Sequence, residues 1–248
     1  MTMVLWLMIL LKVYYMPIHI NVPRMRFEDC VFITGFHGIG ATGYIAVSHL
    51  IDSLKAQRIG YIETDLMPPF VTMASGRLVT PFEIYKLDYF IFMKSEFPPH
   101  RNEEITFAKA LAEWVVAKKF REAVLIGGLD SNFKTGDSSM RVVSTKAFSH
   151  RVGAFGAPFL EPGLYVTGPL AVMLTVFEAN NFPAIAILPY AALTRPDPNA
   201  AAVAIDKICR VYGLNVDVSS LIKDASEIEA ELQERRERAR TSYEGLWV

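Results

Sequence analysis

The sequence predicts an α/β fold in which a largely parallel sheet is covered by helices on both faces. Three observations carry this. Short apolar runs recur, Cys30 to Thr34, Ala123 to Gly127 and Ala184 to Leu188, with no polar alternation. Strands buried on both faces read this way. Longer stretches at helical spacing lie between them, and a strand–helix alternation of this kind is how parallel sheets are connected. Finally, 52% of the 248 residues are hydrophobic and 21% are charged, which excludes a disordered chain and supports a large core.

The elements follow in order. Val4 to Leu11 is an apolar run of eight, ended by Lys12 and followed by Pro17. It is too short to span a bilayer, which takes about 20 apolar residues. No Lys or Arg precedes it and no small-residue cleavage site follows, so it does not read as a secretion signal. Either it is a buried first strand, or the natural start is Met16 and residues 1–15 precede it. Cys30 to Thr34 enters a glycine cluster, and Thr42 to Gln57 continues as a helix. Ile59 to Glu63 and the aromatic run Tyr89 to Met93 are strands. Asn102 caps a helix running to Phe120, with Glu103 and Glu104 in its first turn. Pro169 opens a helix to Asn180, and Asn199 to Tyr212 is a helix stopped by Gly213. Glu63 to Pro81 and Leu129 to Pro162 are loop-rich segments with room for short strands or hairpins. From Ser219 to Arg240 the chain turns charged and helical, which divides it into a domain over 16–218 and an arm over 219–248.

Charge and cysteine content exclude several classes. The net charge is −1, the pI is about 6.5 and mean hydropathy is +0.25. No global field recruits nucleic acid or an anionic membrane. The two cysteines, Cys30 and Cys209, form no disulfide framework and read as buried free thiols suited to a reducing cytoplasm. Five histidines are scattered without metal-ligand spacing, and no metal site is expected. His49 reads as a satisfied histidine at the core edge, and Asp65 and Asp130 as turn or helix caps. Ser131 to Lys134 and Lys134 to Gly136 match S-x-x-K and K-T-G but share one lysine, so they fill no two catalytic roles. Glu231 with Arg235 and Glu234 with Arg238 pair at i,i+4, a solvated face rather than a nucleic-acid patch.

Two features point to function. Gly38, Gly40 and Gly43 match G-x-G-x-x-G between a strand and a helix, and Glu63 follows at the end of the next strand. That is the context of a dinucleotide fingerprint, with backbone on a pyrophosphate and the acid on a ribose. The other reading of Gly35, Gly38, Gly40 and Gly43 is a close-packed crossover needing positive φ. The second feature is the chain end. Leu246, Trp247 and Val248 place large apolar groups beyond a charged helix. They either fold back on the domain or serve as a docking tag.

The run Ile33 to Gly43 resembles the signature of the PAC2 family, the proteasome assembly chaperone 2 family, with His37 where proline is common. Ser75-Gly76-Arg77, Glu96 to Pro99, Gly127-Gly128, Phe182-Pro183-Ala184 and the helix after Pro198 are similar to its archaeal members. The resemblance covers roughly residues 17–232. It implies a three-layer α/β/α sandwich similar to purine nucleoside phosphorylases. It also implies a homo-oligomer with no catalytic residues and no cofactor, which binds 20S proteasome α-subunits. In some members a hydrophobic–tyrosine–any tail docks on the α-ring. Leu246-Trp247-Val248 is similar to it, with Trp for Tyr. The same glycine turn recurs in the family without dinucleotide chemistry.

Overall fold

Strands that must be covered on both sides alternate which helix layer each residue meets, and the central strands do so residue by residue. The computed structural model describes residues 18–74 and 76–226. Its elements are β1 (His19–Asn21), β2 (Val31–Gly35), α1 (Thr42–Leu54), β3 (Gln57–Glu63), β4 (Thr72–Ala74), β5 (Arg77–Val79), β6 (Phe82–Leu87) and β7 (Phe90–Ser95). Then come α2 (Glu104–Ala117), β8 (Glu122–Ile126), β9 (Leu129–Asp130), β10 (Met140–Ser144), α3 (Gly168–Ala179), β11 (Ala184–Ala191) and α4 (Pro198–Tyr212). The main sheet runs β1-β3-β6-β7-β2-β8-β11-β10, with β9 also on β11, and β4 and β5 form a separate hairpin. The centre, β7-β2-β8-β11, is parallel. The flanks are antiparallel.

Val31, Ile33, Val124 and Ile185 face α1 and α4, while Phe32, Leu125 and Ala186 face α2 and α3. The chain is thus a three-layer α/β/α sandwich. Each of α1 to α4 begins where a strand of the parallel centre ends and runs back along the sheet, so the N-termini of these four helices gather at one end of it. Among the described residues no helix is long and apolar enough to cross a membrane.

Both sheet edges are managed. The outer side of β10 is taken by the segment after Ala157. Val142 donates its N–H to Pro158 O and accepts from Leu160 N, each at 3.0 Å. The other edge, β1, is three residues long.

Several boundaries differ from expectation. The first helix ends at Leu54 rather than Gln57, and the second at Ala117 rather than Phe120. Glu103, not Asn102, holds the cap position of α2. Asn102 instead gives its backbone N–H to His100 Nδ1 at 3.3 Å. The last helix starts at Pro198, where the Asp197 side chain accepts from Ala200 N at 3.0 Å, and it ends at Gly213 with φ +69°. Cys30 is buried and Cys209 half-buried, and both are free thiols. His49 Nε2 lies 2.7 Å from Asp217 O, and Asp130 accepts from Asn132 N at 2.9 Å, so both are satisfied locally. The expected arm becomes helical at Ser219, and Leu221 and Ala225 in its first two turns are buried on the domain.

Candidate functional site

The glycine turn forms because three backbones converge where a side chain would not fit. A Cβ on Gly35 would sit 2.5 Å from Gly43 Cα, and one on Gly43 would meet the Ile126 carbonyl of β8. Gly40 has φ +64°, and a Cβ there would lie 2.8 Å from Ala191 Cβ. Its carbonyl also accepts from Asp197 N at 2.8 Å, so the turn ties the start of α1 to the start of α4. Ala41 beside it is held at φ +48°, a conformation costing about 1–2 kcal/mol for a residue with a Cβ. Gly38 is different, because a Cβ there meets nothing within 4 Å. Three of the four glycines are therefore a packed crossover, and the fourth opens onto a cleft.

That cleft, about 310 Å³, lies beyond the ends of β2, β8 and β11. Its walls include His37 and Gly38 from the turn, Pro98 and Pro99 after β7, and Thr167 and Gly168 at the start of α3. No lysine or arginine lines it, and its one acid is Glu104. A Cβ on Gly168 would lie 3.1 Å from Glu104 Oε1, so the chain's own carboxylate stands at the N-terminus of α3. That is the place a bound phosphate would otherwise take.

From His37 in the cleft wall a polar cluster leads away to Lys94 and Glu96, which line a second cleft. The His37 ring stacks on Tyr44 with centroids 4.1 Å apart, and His37 Nδ1 is buried without a hydrogen-bond partner among the described residues. Tyr44 donates to Glu96 Oε1 at 3.0 Å, and Lys94 Nζ pairs with Glu96 Oε2 at 2.7 Å. Burial pushes the His37 imidazole down, against the pull of Glu96. Burial and the Glu96 carboxylate push the Tyr44 phenol up to about 12. Both are therefore neutral at neutral pH. The cluster can hold hydrogen bonds, and its charged members, the Lys94 ammonium and the Glu96 carboxylate, are paired with each other.

The second cleft, about 380 Å³, lies under the β4–β5 hairpin against the end of α1. The hairpin is held by the buried Glu83 carboxylate of β6. Arg77 gives it two hydrogen bonds of 2.9 Å, Tyr85 donates at 2.6 Å, and Arg58 Nε pairs with it at 2.7 Å. Burial alone would raise the Glu83 carboxyl, but Arg77, Tyr85, Thr80 and Arg58 outweigh it and hold it below the usual range.

Glu63 is not brought to the glycine turn. It ends β3, which is separated from β2 by β6 and β7, about 14 Å away at three inter-strand spacings. In a dinucleotide fold the acid ends the neighbouring strand. Together with cleft walls that carry Glu104 and no lysine or arginine, this removes the support for the dinucleotide reading of Gly38, Gly40, Gly43 and Glu63. Among the described residues no group of three or more His, Cys, Asp or Glu could hold a metal. Ser131 and Lys134 are exposed on one short turn and meet no second motif. Leu246, Trp247, Val248 and the apolar run before Met16 lie outside the described residues. Sequence reasoning did not single out Tyr44, Lys94 or Thr167. Their only signal is position, since each lies within two residues of a junction where a parallel strand ends or a helix starts.

The fold and this crevice define a class: three-layer α/β/α proteins with a crevice where the parallel strands finish. Within that class the chain belongs to the PAC2 family, whose sequence profile matches residues 32–236. It is 27% identical over 225 residues to an uncharacterized protein of Methanocaldococcus jannaschii, covering 86% of this chain and 88% of that one. Its fold is similar to that of Pyrococcus furiosus PbaA, an archaeal homolog of proteasome-assembly chaperone. The TM-score is 0.78 at 23% identity, over 92% of this chain and all of PbaA. It is also similar to P. furiosus PbaB, an archaeal proteasome activator. Here the TM-score is 0.72 at 19% identity, over 88% of this chain and 98% of PbaB.

Proposed function

We propose that this protein is a proteasome assembly chaperone-like binding protein of the cytoplasm, acting on 20S proteasome α-subunits and not as an enzyme. The carrying observation is membership of the PAC2 family together with a fold shared along most of the chain with PbaA and PbaB. The cleft walls, with no lysine or arginine to hold a phosphate and with Glu104 at the start of α3, lend no support to a nucleotide-dependent enzyme. In this reading a homo-oligomeric body presents several copies of the tail Leu246-Trp247-Val248. Each tail binds weakly, and repeated pockets on a ring raise avidity by about 10²–10⁴ through effective concentration.

The test is capture of 20S α-subunits by the immobilised full chain and by a chain lacking residues 246–248. The full chain is expected to retain α-subunits, and the truncated chain to lose them while keeping its Tm. Failure of the full chain to retain any α-subunit overturns the reading. Equal capture by both chains overturns the role of Leu246, Trp247 and Val248 alone.

A further inference from the structure

Gly38 is small for no reason of the fold. Its φ of −104° is open to any residue, and a Cβ there meets nothing within 4 Å. Packing and positive φ fix Gly40, and packing fixes Gly43, but neither reason applies at Gly38. What the missing side chain leaves is space. The cleft it opens onto, about 310 Å³, is at the lower end of the sizes that hold small molecules. It also lies beyond the carboxyl ends of β2, β8 and β11, where open α/β sheets take their ligands.

Two side chains of this cleft have no partner. Tyr165 is 80% exposed, and it meets no other ring, cation or hydrogen-bonding group among the described residues. The Glu104 carboxylate accepts no hydrogen bond and pairs with no cation among the same residues. It stands in the first turn of α2 and beside the start of α3, so two helix starts favour its charge. Neither start gives it a hydrogen bond, and Pro169 has no N–H to give. An ionised carboxylate accepts at both oxygens and donates at neither. The other walls bring no competing charge. No lysine or arginine lines the cleft, and burial pushes the His37 imidazole down, so it is neutral. Pro98, Pro99 and Leu170 make much of the remaining wall apolar.

These features select a class of ligand. An unpartnered carboxylate takes a donor, and a cationic donor forms a hydrogen bond roughly twice as strong as a neutral one. The apolar walls and the open Tyr165 ring suit a compact hydrocarbon body, and such a ring face also attracts a cation. An anionic ligand would meet Glu104 with like charge. We propose that the glycine-turn cleft binds a small primary amine with an apolar body, its ammonium donating to Glu104 and its body packed on Tyr165 and the Pro98–Pro99 wall. This site is separate from the capture of α-subunits.

The experiment is a ligand-observed NMR titration of the full chain with three molecules of similar shape. Phenethylamine carries a positive charge, 2-phenylethanol none and phenylacetate a negative one. The amine is expected to bind about 10- to 100-fold more tightly than the alcohol, the gain of one hydrogen bond to a charged group. Phenylacetate is expected to bind more weakly than either. Glu104→Gln should bring the amine to within about two-fold of the alcohol, and Gly38→Leu, which fills the cleft, should weaken both. Should either variant unfold, the charge series on the unaltered protein decides. Phenylalanyl-alanine amide carries the same ammonium at the head of a peptide. Weaker binding than phenethylamine supports a free amine, and tighter binding overturns it in favour of a chain N-terminus. No saturable binding of phenethylamine up to about 10 mM, equal binding of phenylacetate, or an amine preference that survives Glu104→Gln overturns the site.

Discussion

The two ends of the central sheet are built by different rules. Where the parallel strands begin, connections are tight and polar. Lys55 ends α1, Lys119 ends α2, Asn181 ends α3 and Asp88 joins β6 to β7, each at positive φ. The three helix ends close with Ala56 N–H to Ile51 O, Phe120 N–H to Val115 O and Phe182 N–H to Phe177 O. These satisfy carbonyls that a helix end otherwise leaves free. Where the strands finish, the connections are long, carry the exposed apolar side chains, and enclose a cleft behind a glycine turn. One end closes the chain on itself, and the other leaves apolar side chains and a cleft open to solvent. Function in open α/β sheets gathers at the same place for the same reason: loops there are held by a rigid frame but are free to vary.

The largest expected effect tests how rigid the functional end is. Gly40→Val combines a β-branched residue at positive φ with a collision at Ala191. It should cost at least about 4 kcal/mol and lower Tm by about 10 °C or prevent folding. Gly38→Ala, two residues earlier, should stay within about 0.5 kcal/mol, because its Cβ meets open space. Thermal and denaturant unfolding of both variants would show whether crossover and cleft are separable. Equal losses would dissolve the distinction.

An intermediate effect concerns the hairpin. Glu83→Gln leaves Arg58 and Arg77 without their buried carboxylate. It should cost about 2 kcal/mol at pH 7, less than a fully buried pair because both guanidiniums are one-third exposed. The Glu83 carboxyl is held low in the folded chain. Its stabilisation is therefore complete above the unfolded value of about 4.3 and is lost as pH falls through the lower folded value. Unfolding midpoints from pH 7 to pH 2 should fall less steeply in the variant. Parallel curves would mean that other carboxylates govern the acid limb.

The smallest effect probes the tight end. Lys119→Gly exchanges a strained left-handed lysine for the residue that adopts this conformation freely, and Tm should rise by about 2 °C. A fall would show that Lys119 makes a contact beyond its backbone role.

The central strands and helices α1 to α4 were legible because each is a local pattern. The helix ends at Leu54 and Ala117 were overrun because lysine, not glycine, stops them, whereas Gly213 announced itself. The short β1 and the longer β6 went unmarked, and β10 lay in a segment read only as loop-rich with room for short strands; β6 and β10 share a reason. Each carries a charged residue inside, Glu83 and Arg141 respectively, and both are buried. Arg141 is tied to Glu161 at 2.6 Å and to Thr135 O at 2.7 Å. A buried ion pair hides a strand from any reading of apolar runs, since the partner that makes it tolerable lies elsewhere in the chain. Strand order is likewise non-local. Glu63 stands at the right spacing from Gly43, and only the placement of β6 and β7 between their strands separates them.

The covered margin of β10 also restricts how copies of this chain accumulate. A sheet grows from molecule to molecule when an open strand offers its row of amides and carbonyls to the next. Here Val142 has already spent both groups on Pro158 and Leu160, and β1 presents three residues, too few to template a neighbour. Among the described residues, backbone pairing from molecule to molecule therefore finds little open strand at either margin of the main sheet. Association of copies is then left to side-chain contacts, and the symmetry of such a contact decides whether it closes into a ring or continues as a filament.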